Sequence, residues 1–119
     1  MLEIRLKRAY DRPERSDGFR VLVDRVWPRG IRKEDAELHE WLRDIAPSSA
    51  LRKWFGHDPD RWESFVAKYR KELDGHGDLV GRLTEWCRKG RLTLVYGARD
   101  KERNNAVVLK MYLQDINDG

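Results

Sequence analysis

The chain has 119 residues, of which 39% are charged and 39% hydrophobic, with five tryptophans and a formal net charge of +4. That length suits one domain with an ordinary core and is too short for two, while the aromatic content and clear periodicities exclude a disordered chain. No run approaches the roughly 18 apolar residues of a membrane span, and the start, Met1-Leu2-Glu3-Ile4-Arg5, lacks the apolar core of a signal peptide. The lone Cys87 excludes a disulfide framework, and no Cys/His group has metal-ligand spacing. The expectation is a soluble, cytoplasmic domain with no metal or cofactor.

The first element is a strand over Leu2 to Arg8, where Leu2, Ile4 and Leu6 alternate with Glu3, Arg5 and Lys7. Tyr10 to Gly18, polar and broken by Pro13, reads as a loop. Arg20 to Asp24 reads as a second, more buried strand, after which Pro28 and Gly30 impose irregular backbone. From Glu34 to Ala46 two readings stay open: Leu38, Trp41, Leu42 and Ile45 fit helical spacing, and a short strand over Leu38 to Leu42 fits nearly as well. Pro47 ends the segment in either case.

Ser48 or Ser49 is placed to cap a short helix over Leu51, Trp54 and Phe55 that stops at Gly56. Asp58-Pro59 then opens a helix whose apolar stripe is Trp62, Phe65, Val66, Tyr69 and Leu73. Gly75 and Gly77 interrupt it, and Leu79, Val80, Leu83, Trp86 and Cys87 form a further helical stripe ended by Gly90. Leu92 to Tyr96 is the last strand, and a helix follows from Asn104 or Asn105 to Ile116. Strands interleaved with helices predict a single α/β domain over residues 1–119 with a mainly parallel central sheet flanked by helices.

Two loops follow strands, Arg25 to Gly30 and Tyr96 to Asn104. If their strands are parallel neighbours, both loops lie at the carboxyl ends of the sheet, where α/β proteins bind ligands. Arg25, Trp27, Arg29, Tyr96, Gly97, Arg99 and Asn104 are then the candidate ligand-binding residues. Guanidinium groups hold carboxylate or phosphate in a bidentate way, a helix amino terminus adds free amides, and Gly97 lets backbone approach a ligand closely. Asp24 and Asp100 are candidates for acid/base hydrolysis, and His57, next to Asp58, is a third catalytic candidate as a general acid or base. The competing structural roles are an Asp24–arginine pair fixing the loops, Trp27 plugging the core, and His57 sitting in a turn capped by Asp58. His39 and His76 have no partner in the local sequence. The chain lacks a GxSxG elbow, a P-loop and a GxGxxG motif.

Several blocks occur in order: Val23-Asp24-Arg25-Val26-Trp27-Pro28-Arg29-Gly30, Ala46-Pro47-Ser48, Leu51 to Pro59, then Trp62, Phe65, Tyr69, Glu72 and Leu73. They end with Leu94-Val95-Tyr96-Gly97-Ala98-Arg99-Asp100, Asn104 and Ala106. In these blocks the chain resembles the YeaO-like family of small bacterial proteins, a domain of unknown function. Val26 and Arg99 stand where leucine and lysine are common in that pattern, and both keep the residue's character. The resemblance implies a compact α/β domain and supplies no reaction, cofactor or catalytic residue.

Three functional expectations follow. The first is a binder of a small anion such as a nucleotide or phosphorylated metabolite, with hydrolytic chemistry as an extension. The second is a nucleic-acid-associated module. Residues 1–33 hold ten Lys or Arg against five acids, so this third carries +5 and the remainder −1. The third is a protein-interaction domain without catalysis, recognisable by exposed tryptophans in an apolar patch.

Overall fold

Four strands and five α-helices, described over residues 2–118 of a computed structural model, are interleaved along the chain: two strands, a short helix, a third strand, three helices, the last strand and a final helix. The strands are β1 (Ile4–Arg8), β2 (Phe19–Leu22), β3 (Glu40–Trp41) and β4 (Leu92–Tyr96). They form one sheet in the order β1-β4-β2-β3, and every pairing is parallel. The central pair is β2 and β4, in register from Phe19 opposite Leu92 to Leu22 opposite Val95. One further ladder bond, from the Val23 amide to the Val95 carbonyl at 3.0 Å, carries the pairing to the edge of Asp24. Each residue of β4 is buried, as expected of a parallel strand covered on both faces.

The helices are α1 (Lys33–Ala36), α2 (Ser49–Phe55), α3 (Trp62–Asp74), α4 (Gly77–Lys89) and α5 (Asn105–Asp118). Residues from α2 through α5 join Ile4, Val21, Val23, Leu92, Leu94 and Tyr96 in one core cluster on one face of the sheet. The opposite face is covered differently. Leu22 and Val95 point there, under a thin lid of Ala9, Trp27, Ile31, Leu38 and Trp41. Trp27 meets Trp41 edge-on at 5.4 Å, and the two indole N–H groups donate to the carbonyls of Ile31 and Asp24. The helical flank is therefore concentrated on one side, with loop aromatics closing the other.

The segment with two open readings resolves into three short pieces: α1, the strand β3, and a 3-10 turn over Arg43–Ile45. The strand wins around Glu40 because Val21 and Leu22 offer a free edge there. Arg20 closes α1. It is 3% exposed, donates to Asp17 at 2.7 Å and gives its other donors to the Ala36 and Glu37 carbonyls at 2.9 and 3.1 Å. His39, without a partner in the local sequence, accepts the Arg20 amide on Nδ1 at 3.0 Å and stacks on Phe19.

The remaining boundaries follow local chemistry. Ser48 caps α2 through Leu51, and Asp58 accepts the Asp60 amide to start the 3-10 turn Pro59–Arg61 that runs into α3. Among the described residues, no helix is long and apolar enough to cross a membrane.

Candidate functional site

Because β2 and β4 are parallel neighbours, the loops that follow them leave the sheet side by side. The side chain of Asp24 ties them together. Its Oδ2 accepts the Gly97 amide at 2.8 Å, and its Oδ1 accepts Asn105 Nδ2 at 3.2 Å. Asn105 also donates to the Val23 carbonyl at 3.0 Å, so the first residue of α5 is fixed to the end of β2. A Cβ at position 97 would stand 3.2 Å from Asp24 Oδ2, so glycine permits this close approach. Burial pushes the Asp24 carboxyl above the usual carboxylate range, partly offset by the Gly97 and Asn105 hydrogen bonds and the Arg52 charge.

A cavity of about 280 Å³ opens above this junction. Asp24, Gly97, Asn104 and Asn105 line its sheet side, and Arg25, Arg52, Arg103 and His57 contribute its basic groups. Phe55, Phe65, Val26, Ala46, Pro47 and Ala98 give it apolar walls. Arg25 is mostly spent on the wall itself: Nε and Nη2 donate to the carbonyls of Pro47 and Ala46 at 3.1 Å each. Tyr69 donates to the adjoining Ile45 carbonyl at 2.6 Å. Glu72 accepts both the Ser48 amide at 2.8 Å and the Ser48 hydroxyl at 2.6 Å. The wall Ile45 to Ser48 is thus held from three directions.

Arg52 differs from Arg25. Among the described residues, its guanidinium has no carboxylate or carbonyl partner, although it lines the cavity beside Asp24. Arg103 is held only loosely, 3.8 Å from Asp100. Asn104 caps α5 by accepting the Val107 amide at 3.0 Å, which sets the amino terminus of that helix at the cavity.

Five of the sequence candidates therefore meet at one cavity: Asp24, Arg25, His57, Gly97 and Asn104. The other five lie outside its lining. Trp27 covers the opposite face of the sheet, and Arg29 is exposed with its carbonyl accepting the Tyr10 hydroxyl at 2.9 Å. Tyr96 is buried beneath, and Arg99 is exposed. Asp100 caps the turn before α5 by accepting the amides of Glu102 and Arg103 at 2.9 and 3.0 Å. Those two amides hold its carboxyl below the usual range, with smaller help from Arg103 and His57. His57 occupies left-handed backbone at φ 57°, one residue after Gly56 at φ 53°, a conformation that costs about 1–2 kcal/mol for a residue with a Cβ.

Arg52, Arg103 and Asn105 were not singled out by the sequence reading. Arg103 lies within the predicted loop Tyr96 to Asn104, and Asn105 adjoins it. Arg52 carries no local signal, because only the packing of α2 brings it to the sheet edge. Among the described residues, no group of three or more His, Cys, Asp or Glu is placed to hold a metal ion.

Half of the ten basic residues of the N-terminal third are engaged within the molecule, while Arg5, Arg12, Arg15, Arg29 and Lys33 are exposed with no side-chain partner among the described residues. Lys7 pairs with Glu14 and Asp17, Arg8 with the Ala98 carbonyl, Arg20 with Asp17, Arg25 with two carbonyls, and Arg32 with Asp35. Of the tryptophans, Trp54 is the most open, at 36%.

Comparison with known proteins agrees over nearly the whole chain. A family profile described as "Inactive DUF488-N3 subclade" matches residues 3–118. The chain is 43% identical over 115 residues to "Uncharacterized protein YeaO" of Escherichia coli (strain K12), covering 97% of this chain and 100% of that protein. It is 39% identical over 110 residues to "Uncharacterized protein Rv3073c" of Mycobacterium tuberculosis (strain ATCC 25618 / H37Rv), covering 92% of each. The same figures hold for "Uncharacterized protein Mb3100c" of Mycobacterium bovis (strain ATCC BAA-935 / AF2122/97). No solved structure matches the chain. The blocks read from the sequence, the family profile and these full-length relatives agree: the chain belongs to the DUF488 family, with YeaO among its relatives.

Proposed function

We propose that this protein binds a small anion in the cavity at the carboxyl ends of β2 and β4, and that it does so without turnover. The observation that carries this reading is Arg52, a guanidinium with no partner among the described residues, lining a cavity with apolar walls. Arg103 and the amino terminus of α5 add positive potential on the same side, while Arg25, bonded to two carbonyls and 3.9 Å from Asp44, contributes mainly to the wall. The cavity lies just below the roughly 300–1,000 Å³ that accommodates drug-sized ligands, so the anion is a compact one such as a phosphate ester or carboxylate.

Binding without hydrolysis is supported by Asp100. It lies outside the cavity lining and has its Oδ1 committed to two amides, which leaves Asp24 without a second carboxylate across the cavity. The word "Inactive" in the description of the matching subclade points the same way.

Isothermal titration with inorganic phosphate and simple phosphate monoesters tests the reading. Loss of one charge-assisted contact costs about 1.5–3 kcal/mol, so Arg52→Gln should weaken binding roughly tenfold to a hundredfold. Arg88→Gln, an exposed arginine at the end of α4, should leave it unchanged. Equal affinity in wild type and Arg52→Gln contradicts the proposal.

A further inference from the structure

The cavity is basic on one side and carries a carboxylate at its base, an arrangement that a plain anion site does not need. Asp24 makes two hydrogen bonds, to Gly97 and Asn105, while a carboxylate offers about four acceptor positions. Asn105 spends its Nδ2 on Val23 and Asp24, and among the described residues its Oδ1 accepts nothing. Both side chains line the cavity. An anion entering beside Arg52 therefore meets a partly desolvated carboxylate and an amide oxygen, both of which repel it unless it brings a donor of its own.

We propose that the site selects hydroxylated organic phosphates of the polyol or sugar type. Arg52 and Arg103 hold the phosphate, and Asp24 and Asn105 Oδ1 accept hydrogen bonds from hydroxyl groups on the body of the ligand. The stacked pair Phe55 and Phe65, 4.3 Å between ring centroids, supplies an apolar wall for the carbon face of such a ligand. This inference rests on the anion-site reading above. Its selectivity comes from the penalty imposed on the wrong ligand. Buried acceptors left without a donor lose their water and gain nothing, and sites built around a hydroxyl reject analogues lacking it far more strongly than apolar pockets reject a missing methylene.

A matched pair tests it: glycerol 3-phosphate and n-propyl phosphate share charge and carbon count and differ by two hydroxyls. Titration calorimetry on the wild-type protein should show glycerol 3-phosphate binding at least tenfold tighter. In Asp24→Asn the ratio should shrink, and propyl phosphate should bind no weaker than to wild type, because a repelling charge is gone; a merely structural role for Asp24 would weaken both ligands together. Equal affinities for the pair in the wild-type protein, with both lost in Arg52→Gln, overturn the hydroxyl selectivity and leave the anion site standing. Absence of saturable binding by either ester and by inorganic phosphate overturns both. The wild-type comparison decides the matter even if Asp24→Asn fails to fold.

Discussion

Asp17 shows how a single carboxylate can organise a corner of this domain. It is 3% exposed, receives Arg20 at 2.7 Å and Lys7 at 3.0 Å, and accepts the Glu14 amide at 3.0 Å. Burial alone would raise its pKa, but the Glu14, Lys7 and Arg20 hydrogen bonds outweigh burial and hold it below the usual carboxylate range. A carboxylate depressed in the folded state contributes stability above its unfolded pKa, near 3.9, and that contribution is lost as pH falls through the folded value. Asp17→Ala leaves the Arg20 guanidinium buried without its counter-charge. It should cost about 3–5 kcal/mol in urea unfolding at neutral pH, and the loss of stability below pH 4 should be shallower than in wild type. An unchanged unfolding midpoint contradicts this account. None of this was legible locally, since Arg20 read as the start of an apolar strand. Asp24 and Gly97 were legible, because each sits where a strand of apolar residues stops, and the site forms between those two ends.

At the scale of elements, the sequence reading succeeds where one periodicity dominates. The stripe Trp62, Phe65, Val66, Tyr69 and Leu73 falls within α3, and β4 matches its predicted span of Leu92 to Tyr96. It leaves alternatives open at residues 34–46, where Glu40–Trp41 become a strand because they pair with β2, a tertiary fact absent from the local pattern. The cap of α2 tests how far a local device supports the cavity. Ser48 Oγ accepts the Leu51 amide at 3.1 Å and donates to Glu72, binding the wall of the cavity to α3. Ser48→Ala should cost about 0.5–2 kcal/mol, the usual range for a lost cap. It should also weaken phosphate-ester binding, because Ala46 and Pro47 lose one of their anchors. Unfolding curves and titrations on the same preparation check both effects; a destabilised protein that binds as tightly as wild type separates the wall from the site.

Across the whole molecule, the site exists because of topology. The chain order places β4 between β1 and β2, so the last strand of the sequence becomes a neighbour of the second. The following helix α5 then begins beside Asp24, about 80 residues away in sequence. The bottom of the cavity is thus built from two strand ends and a helix start, and α2 brings Arg52 across from the side. Sequence periodicity indicated the strand ends and the helix start. It did not indicate Arg52, whose position depends on how α2 packs against α3 and the sheet edge. The proposed binding of a small anion at this junction is tested most directly by titrating uniformly 15N-labelled protein with glycerol 3-phosphate and following amide and arginine Nε shifts. Saturable shifts concentrated at Gly97, Ala98, Asn105, Ala106 and the Arg52 side chain are the predicted result; no saturable shift, or shifts centred on exposed N-terminal arginines such as Arg12 and Arg15, would contradict it.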